Sequence, residues 1–233
     1  MALAEQLPLD LPSRSAVGRE DFLVTPCNEA AVAWIDRWPN WPMSGLALYG
    51  PAACGKTHLA EVWRRRTHAL ALDWAALAAG EEAHSLLGSH LAVVLDDAEN
   101  GLSGAGEEAL FHLHNLLVAH GGQILLIGEQ APARWNITLA DLRSRLTALP
   151  AVSIEPPDDA LLAAVIVKQF ADRQLMLNQD VLAFLLARME RSFAAARKIA
   201  AVIDAAALAR RKPVTVPLAR EVLAQLTDRC DPR

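Results

Sequence analysis

The run Gly50-Pro51-Ala52-Ala53-Cys54-Gly55-Lys56-Thr57 constrains this chain more than any other feature, because it commits its surroundings to a strand, a phosphate-cradling turn and a helix. It fits the pattern G-x-x-x-x-G-K-[ST]. The glycines let the backbone wrap an anion with its N–H groups, Lys56 can reach the terminal phosphates, and the Thr57 hydroxyl can ligate Mg²⁺. Leu46-Ala47-Leu48-Tyr49 before the loop reads as a buried strand, and Leu59-Ala60-Glu61-Val62-Trp63 after it as a helix whose positive end faces the same anion. A glycine-rich turn with an incidental lysine would lack both flanks. Gly50, Pro51, Ala52, Ala53, Cys54, Gly55, Lys56, Thr57 and His58 are therefore expected to hold a nucleotide. The Cys54 thiol, inside the loop, is expected to be open to alkylation that blocks binding.

Composition narrows the class. Of 233 residues, 53% are hydrophobic and 21% charged, enough to build a sizeable core. No apolar run approaches the roughly 18 residues that span a bilayer, and the N-terminus lacks a basic region followed by an apolar stretch. No membrane anchor or signal peptide is expected, and the expected compartment is the cytoplasm. Cys27, Cys54 and Cys230 are widely spaced with no C-x-x-C pair, which argues against a disulfide framework and a zinc site. A formal charge of −5 gives no footprint for duplex DNA over the whole chain. The basic runs Arg64-Arg65-Arg66 and Arg210-Arg211-Lys212 read as solvated helix ends. His112 and His114, two apart in a predicted helix, cannot share a face and read as surface or partly packed residues. Trp34, Trp38 and Trp63 read as core or pocket walls.

Periodicity divides the chain into an arm over residues 1–24, an α/β domain over 25–156 and a helical domain over 157–233. Thr25-Pro26 predicts a helix start, with Thr as N-cap and Pro in the first turn. Short apolar runs recur at Ala69–Leu72, Leu91–Leu95, Gln123–Ile127 and Ala151–Ile154, separated by helical stretches such as Ala105–His120. Strands alternating with helices imply a parallel sheet with crossover helices. After Pro156-Pro157 the pattern is helical, over about Asp158–Gln174, Gln179–Met189, Ser192–Ala209 and Pro217–Leu226.

A second constellation supports the first. Leu91-Ala92-Val93-Val94-Leu95 ends in Asp96-Asp97, where a phosphate-loop protein holds its metal and orients an attacking water. Asp96 is assigned to the metal and Asp97 to polarising the water.

Farther on, Leu142-Arg143-Ser144-Arg145-Leu146 precedes the last strand and Ile154-Glu155-Pro156-Pro157 follows it. With these elements residues 20–228 resemble the DnaA group of AAA+ ATPases. The resemblance implies an αβα P-loop domain with a parallel five-stranded sheet, followed by a small all-helical lid. Two further features suggest the Hda family of DnaA-related regulatory inactivators. No DNA-binding domain is expected after the lid, and Gln6-Leu7-Pro8-Leu9-Asp10-Leu11 is similar to the Q-L-x-L-x-L segment that docks on the bacterial sliding clamp. Gln6 would supply polar contacts, and Leu7, Leu9 and Leu11 the apolar side of an extended segment.

That resemblance implies a regulator that uses its ADP or ATP state and the clamp to trigger hydrolysis of ATP held by a DnaA-type initiator. Arg145 is implied to act in trans on that ATP. Self-association is left open, and direct DNA contact is expected to be weak or indirect. Two positions depart from the AAA+ pattern. The polar residue at the end of the fourth strand is replaced at Ile127 or Gly128, so Glu129 or Gln130 would have to substitute. The lid arginine falls at Ala194, with Arg197 one turn later on a similar face. Weak intrinsic hydrolysis is expected. The rival readings are a helicase loader of the DnaC or IstB kind and a P-loop small-molecule kinase, the second opposed by the alanine-rich lid and the Ser144-Arg145 element.

Overall fold

The computed structural model describes residues 24–79, 85, 87–210 and 212–228. Strands β1 (Gly45–Tyr49), β2 (Leu70–Leu72), β3 (Ala92–Leu95), β4 (Gln123–Gly128) and β5 (Ala151–Ser153) form one sheet in the order β2-β3-β4-β1-β5. Every pairing is parallel, with Leu48 opposite both Ile127 and Val152 and Val94 opposite Leu125. Such a sheet buries both faces, so its strands are continuous apolar runs.

The alternation of the pleat sorts those runs into two cores. Leu46, Leu48, Val94, Leu125 and Ile127 face helices α1 (Glu29–Asp36) and α2 (Lys56–Thr67). There the fully buried Trp63 stacks on Trp41 at 5.4 Å and meets Trp38 edge-on at 6.4 Å, which makes it a core residue. Val93, Leu95, Ile124 and Leu126 face the other way. They pack with α3 (Trp74–Ala78), α4 (Ala98–Gly101), α5 (Ala105–Ala119) and α6 (Ala140–Ala148) through Leu77, Ala98, Leu110, Leu113, Leu142 and Leu146.

The helical part has its own core. Asp158 caps α7 (Asp159–Ala171) by accepting from the Leu161 N–H at 2.7 Å. Helices α8 (Gln179–Leu186), α9 (Phe193–Arg210) and α10 (Val216–Asp228) close around Leu162, Phe170, Leu185 and Ile203. Ala196, Ala200 and Ala219 are buried there, where small side chains let helix backbones approach. Among the described residues no helix is long and apolar enough to cross a membrane.

Three expectations are corrected. Thr25 and Pro26 do not start a helix. They belong to a turn in which the Thr25 carbonyl accepts from Asn28 and Glu29 at 3.0 and 2.9 Å, while the Asn28 side chain accepts from the Thr25 N–H at 2.9 Å. The helix therefore begins at Glu29. His114 is buried, and its Nε2 lies 3.0 Å from the Ser44 hydroxyl. The third correction, at Cys54, belongs to the phosphate loop. Four arginines of the basic runs do lie at helix surfaces: Arg64 and Arg65 pair with Glu61, Arg66 with Asp36, and Arg210 with Glu221.

Candidate nucleotide site and the exposed arginine

In a parallel sheet the carboxyl ends of all strands share one edge, where α/β folds place their ligands. Tyr49 is level with Gly128 on one side and Ser153 on the other, and Leu95 is level with Leu126. The loops that follow β1, β3 and β4 are thus neighbours.

Gly50 opens the phosphate loop against the chain leaving β5. A Cβ there would stand 2.2 Å from the Ile154 carbonyl oxygen, so only glycine fits. Gly55 ends the loop at φ 107°, in the left-handed region that glycine reaches without strain. Lys56 is buried, and its ammonium donates to the carbonyls of Gly50 at 2.6 Å and Pro51 at 2.7 Å. The cation is held by the loop that the sequence pattern assigned to phosphate, at the N-terminus of α2, where anions are favoured.

Thr57 and Asp96 meet across 39 positions of chain, the hydroxyl donating to Asp96 Oδ2 at 2.9 Å. The other carboxylate oxygen accepts from the Asp97 N–H at 2.8 Å, and the Asp96 carbonyl accepts from Trp74 Nε1 at 2.7 Å. Asp96 is held from three sides. A hydroxyl beside a carboxylate supplies the hard oxygen donors that suit Mg²⁺. Asp97 differs: its backbone is left-handed at φ 56° and its carboxylate accepts from the Asn100 side chain at 2.8 Å.

Cys54 is 3% exposed. Burial pushes its thiol up, against the lowering effect of the Lys56 charge. A buried, protonated thiol is a poor nucleophile, which overturns the expectation of ready alkylation.

The loop after β4 carries Glu129 and Gln130 with exposed side chains. Their backbone N–H groups both donate to the Glu99 carboxylate, that of Glu129 at 2.9 Å. Trp135 joins them, donating to Glu99 at 3.1 Å and to the Gln130 carbonyl at 2.9 Å. Sequence reasoning missed Glu99, because a lone glutamate in a short helix carries no pattern.

The lid reaches the loop through Phe193. Its N–H lies 3.4 Å from the Ala53 carbonyl, and its ring lies 3.0 Å from where a Cβ on Gly55 would stand. Arg197 lies one turn further along α9, exposed, and its side chain makes no hydrogen bond or ion pair among the described residues. The contact residue at this end of α9 is the aromatic.

Arg145 sits in the last turn of α6, exposed, with its guanidinium 5.2 Å from the centre of the Phe111 ring. It makes no ion pair among the described residues. Burial, with the Arg145 charge second, pushes the His114 imidazole below its ordinary value. The segment Gln6, Leu7, Leu9 and Leu11 lies outside the described residues.

A phosphate loop on a five-stranded parallel sheet of this order, followed by a helical lid, is the α/β fold found in AAA+ proteins. Residues 159–223 match the family model described as Hda, lid domain. Domain III of the Thermotoga maritima replication initiation protein DnaA superposes with a TM-score of 0.76 at 20% identity, covering 92% of this chain and 98% of that one. The AMPPCP-bound DnaA of Aquifex aeolicus gives 0.67 at 22% identity, covering 79% of this chain and 63% of that one. A structure described as a DNA replication initiation factor gives 0.68 at 21%, covering 82% and 66%. This chain thus spans about two thirds of the length of these longer initiators. The helical lid is thus similar to that of the Hda family, and the chain shares the fold of DnaA domain III.

Proposed function

We propose that this protein binds ADP or ATP in the loop Gly50–His58 and regulates a DnaA-type initiator. Together with the sliding clamp it stimulates hydrolysis of initiator-bound ATP and so represses replication initiation. The observation that carries this reading is Arg145: a guanidinium presented at the surface with no carboxylate partner among the described residues. Such a group suits the charge that develops on a transferring phosphoryl group held by a neighbour. An arginine that served the fold would be expected to pair internally.

Nucleotide binding is supported by the cradle around Lys56 and by the AMPPCP held in the similar Aquifex aeolicus initiator. Thr57 and Asp96 would hold the Mg²⁺, which when bound would offset phosphate charge. Weak intrinsic hydrolysis fits Asp97, whose carboxylate is engaged by Asn100, and fits Arg197, which stands one turn beyond the loop contact. The clamp would be met by Gln6, Leu7, Leu9 and Leu11, with any contact to DNA made indirectly through it.

The test is a reconstitution that follows ATP bound to the initiator. This protein, ADP and DNA-loaded clamp are present together, and each is then omitted in turn. Rapid hydrolysis is expected only with all three. Initiator ATP that persists throughout, while the protein turns over its own ATP on single-stranded DNA, would replace this reading with that of a helicase loader.

A further inference from the structure

Glu107 is the one buried carboxylate among the described residues, at 3% exposure, and no part of the nucleotide site uses it. It lies in the first turn of α5, yet its side-chain hydrogen bonds go to the start of another helix. Its two oxygens each lie 3.0 Å from the Thr138 N–H. One of them also accepts from the Thr138 hydroxyl at 2.9 Å and from the Leu139 N–H at 2.7 Å. Burial pushes the carboxyl up, but the bonds from Thr138 and Leu139 outweigh it and hold Glu107 below its ordinary range, so it is ionised at neutral pH.

Thr138 and Leu139 are the two residues immediately before α6, and Leu139 occupies its N-cap position with no side-chain cap of its own. A glutamate that accepts from the N-cap N–H performs half of a capping box, here supplied from a different helix. Its charge also lies at the end of α6 that favours an anion. Four residues along α5, on the same face, Phe111 carries the Arg145 guanidinium on its ring. Helix α5 therefore grips α6 twice, at its origin and at its arginine. Burying an unpaired carboxylate is a costly way to gain stability, which an apolar contact would supply with less desolvation. What a multiply bonded carboxylate adds is a unique register.

We propose that Glu107 is a positioning residue for Arg145: it fixes the origin of α6 and hence the pose in which the guanidinium is offered to a partner's nucleotide. This rests on the in-trans reading above. A small misplacement of a group that acts on a transition state can cost on the order of a hundredfold in rate.

The experiment compares the full chain with its Glu107→Gln and Thr138→Val variants. Amide hydrogen exchange over residues 138–146 reads how firmly the start of α6 is held. Hydrolysis of initiator-bound ATP, with ADP and DNA-loaded clamp, is titrated with each protein to separate maximal rate from half-saturating concentration. Glu107→Gln should speed exchange in that segment and lower the maximal rate by roughly tenfold or more. Half-saturation and ADP affinity should hold. Thr138→Val removes only the hydroxyl donor and should move both readouts the same way by less; it decides the matter if Glu107→Gln does not fold. Unchanged exchange, or an unchanged maximal rate per folded molecule, overturns the positioning role. A parent chain that stimulates nothing overturns the in-trans reading instead.

Discussion

Lys56 Nζ lies 2.6 Å from the carbonyl oxygen of Gly50, so the cation of the phosphate loop is hydrogen-bonded to the first residue of that loop. The ammonium is buried and already aimed into the turn, with little side-chain freedom left to lose on meeting phosphate. Lys56→Ala should weaken ADP binding at least tenfold, about 1.4 kcal/mol. Titration with a fluorescent ADP analogue measures this; equal affinities would remove the phosphate-loop assignment.

Arg145→Ala should leave ADP affinity unchanged and shift the melting temperature little, because the side chain is exposed and, apart from its contact with the Phe111 ring, joins no ion pair among the described residues. Stimulated hydrolysis of initiator ATP should fall by about three to five orders of magnitude. A lower melting temperature with full stimulation per folded molecule would assign the arginine to the fold.

Glu61 is held at about 2, from an ordinary 4.5, chiefly by its bond from Arg64, with Arg65 adding to it. Its pKa is depressed in the folded protein, so its contribution is complete above pH 4.5 and is lost as pH falls toward about 2. The ion pairs are partly solvated, which makes the effect modest and salt-sensitive. Urea unfolding at pH 5 and pH 3 should show a smaller acid loss for Glu61→Gln than for the parent. Identical losses would mean the pairs do not matter.

Cys54 should resist alkylation in the folded protein, and the half-buried Cys27 should react ahead of it. Peptide mapping after a short iodoacetamide pulse at neutral pH reads both sites. Modification of Cys54 first would mean that the loop opens readily.

Replacing Gln6, Leu9 and Leu11 together by Ala should abolish retention on immobilised sliding clamp without shifting the melting temperature. The segment combines one amide with apolar residues at alternating positions of the sequence. Undiminished retention would make the motif a chance match.

What the amino-acid sequence determined alone was everything whose signal is local. The phosphate loop was legible because eight consecutive residues carry it, and Asp96 because it ends an apolar run. The five strands fall within a residue or two of their expected positions, since a sheet covered on both faces needs uninterrupted apolar segments. The start of α1 was misplaced, because Asn28 and Thr25 satisfy one another as a turn, a choice that helix-start residues alone do not reveal.

Only the tertiary structure decided which distant groups meet. Glu107 is 31 positions from Thr138, Glu99 is 30 from Glu129, and Trp74 is 22 from Asp96. Hydrogen bonds across such gaps leave no periodicity in the sequence. Whether a glutamate is a solvated charge or the buried cap of another helix depends on where the sheet brings its partners. The same holds for Cys54, which the loop pattern left open to solvent and the packing of Gly50 against Ile154 and Cys54 itself closed off. Covalent neighbours set the chemistry of the loop, and burial set which of its groups can react.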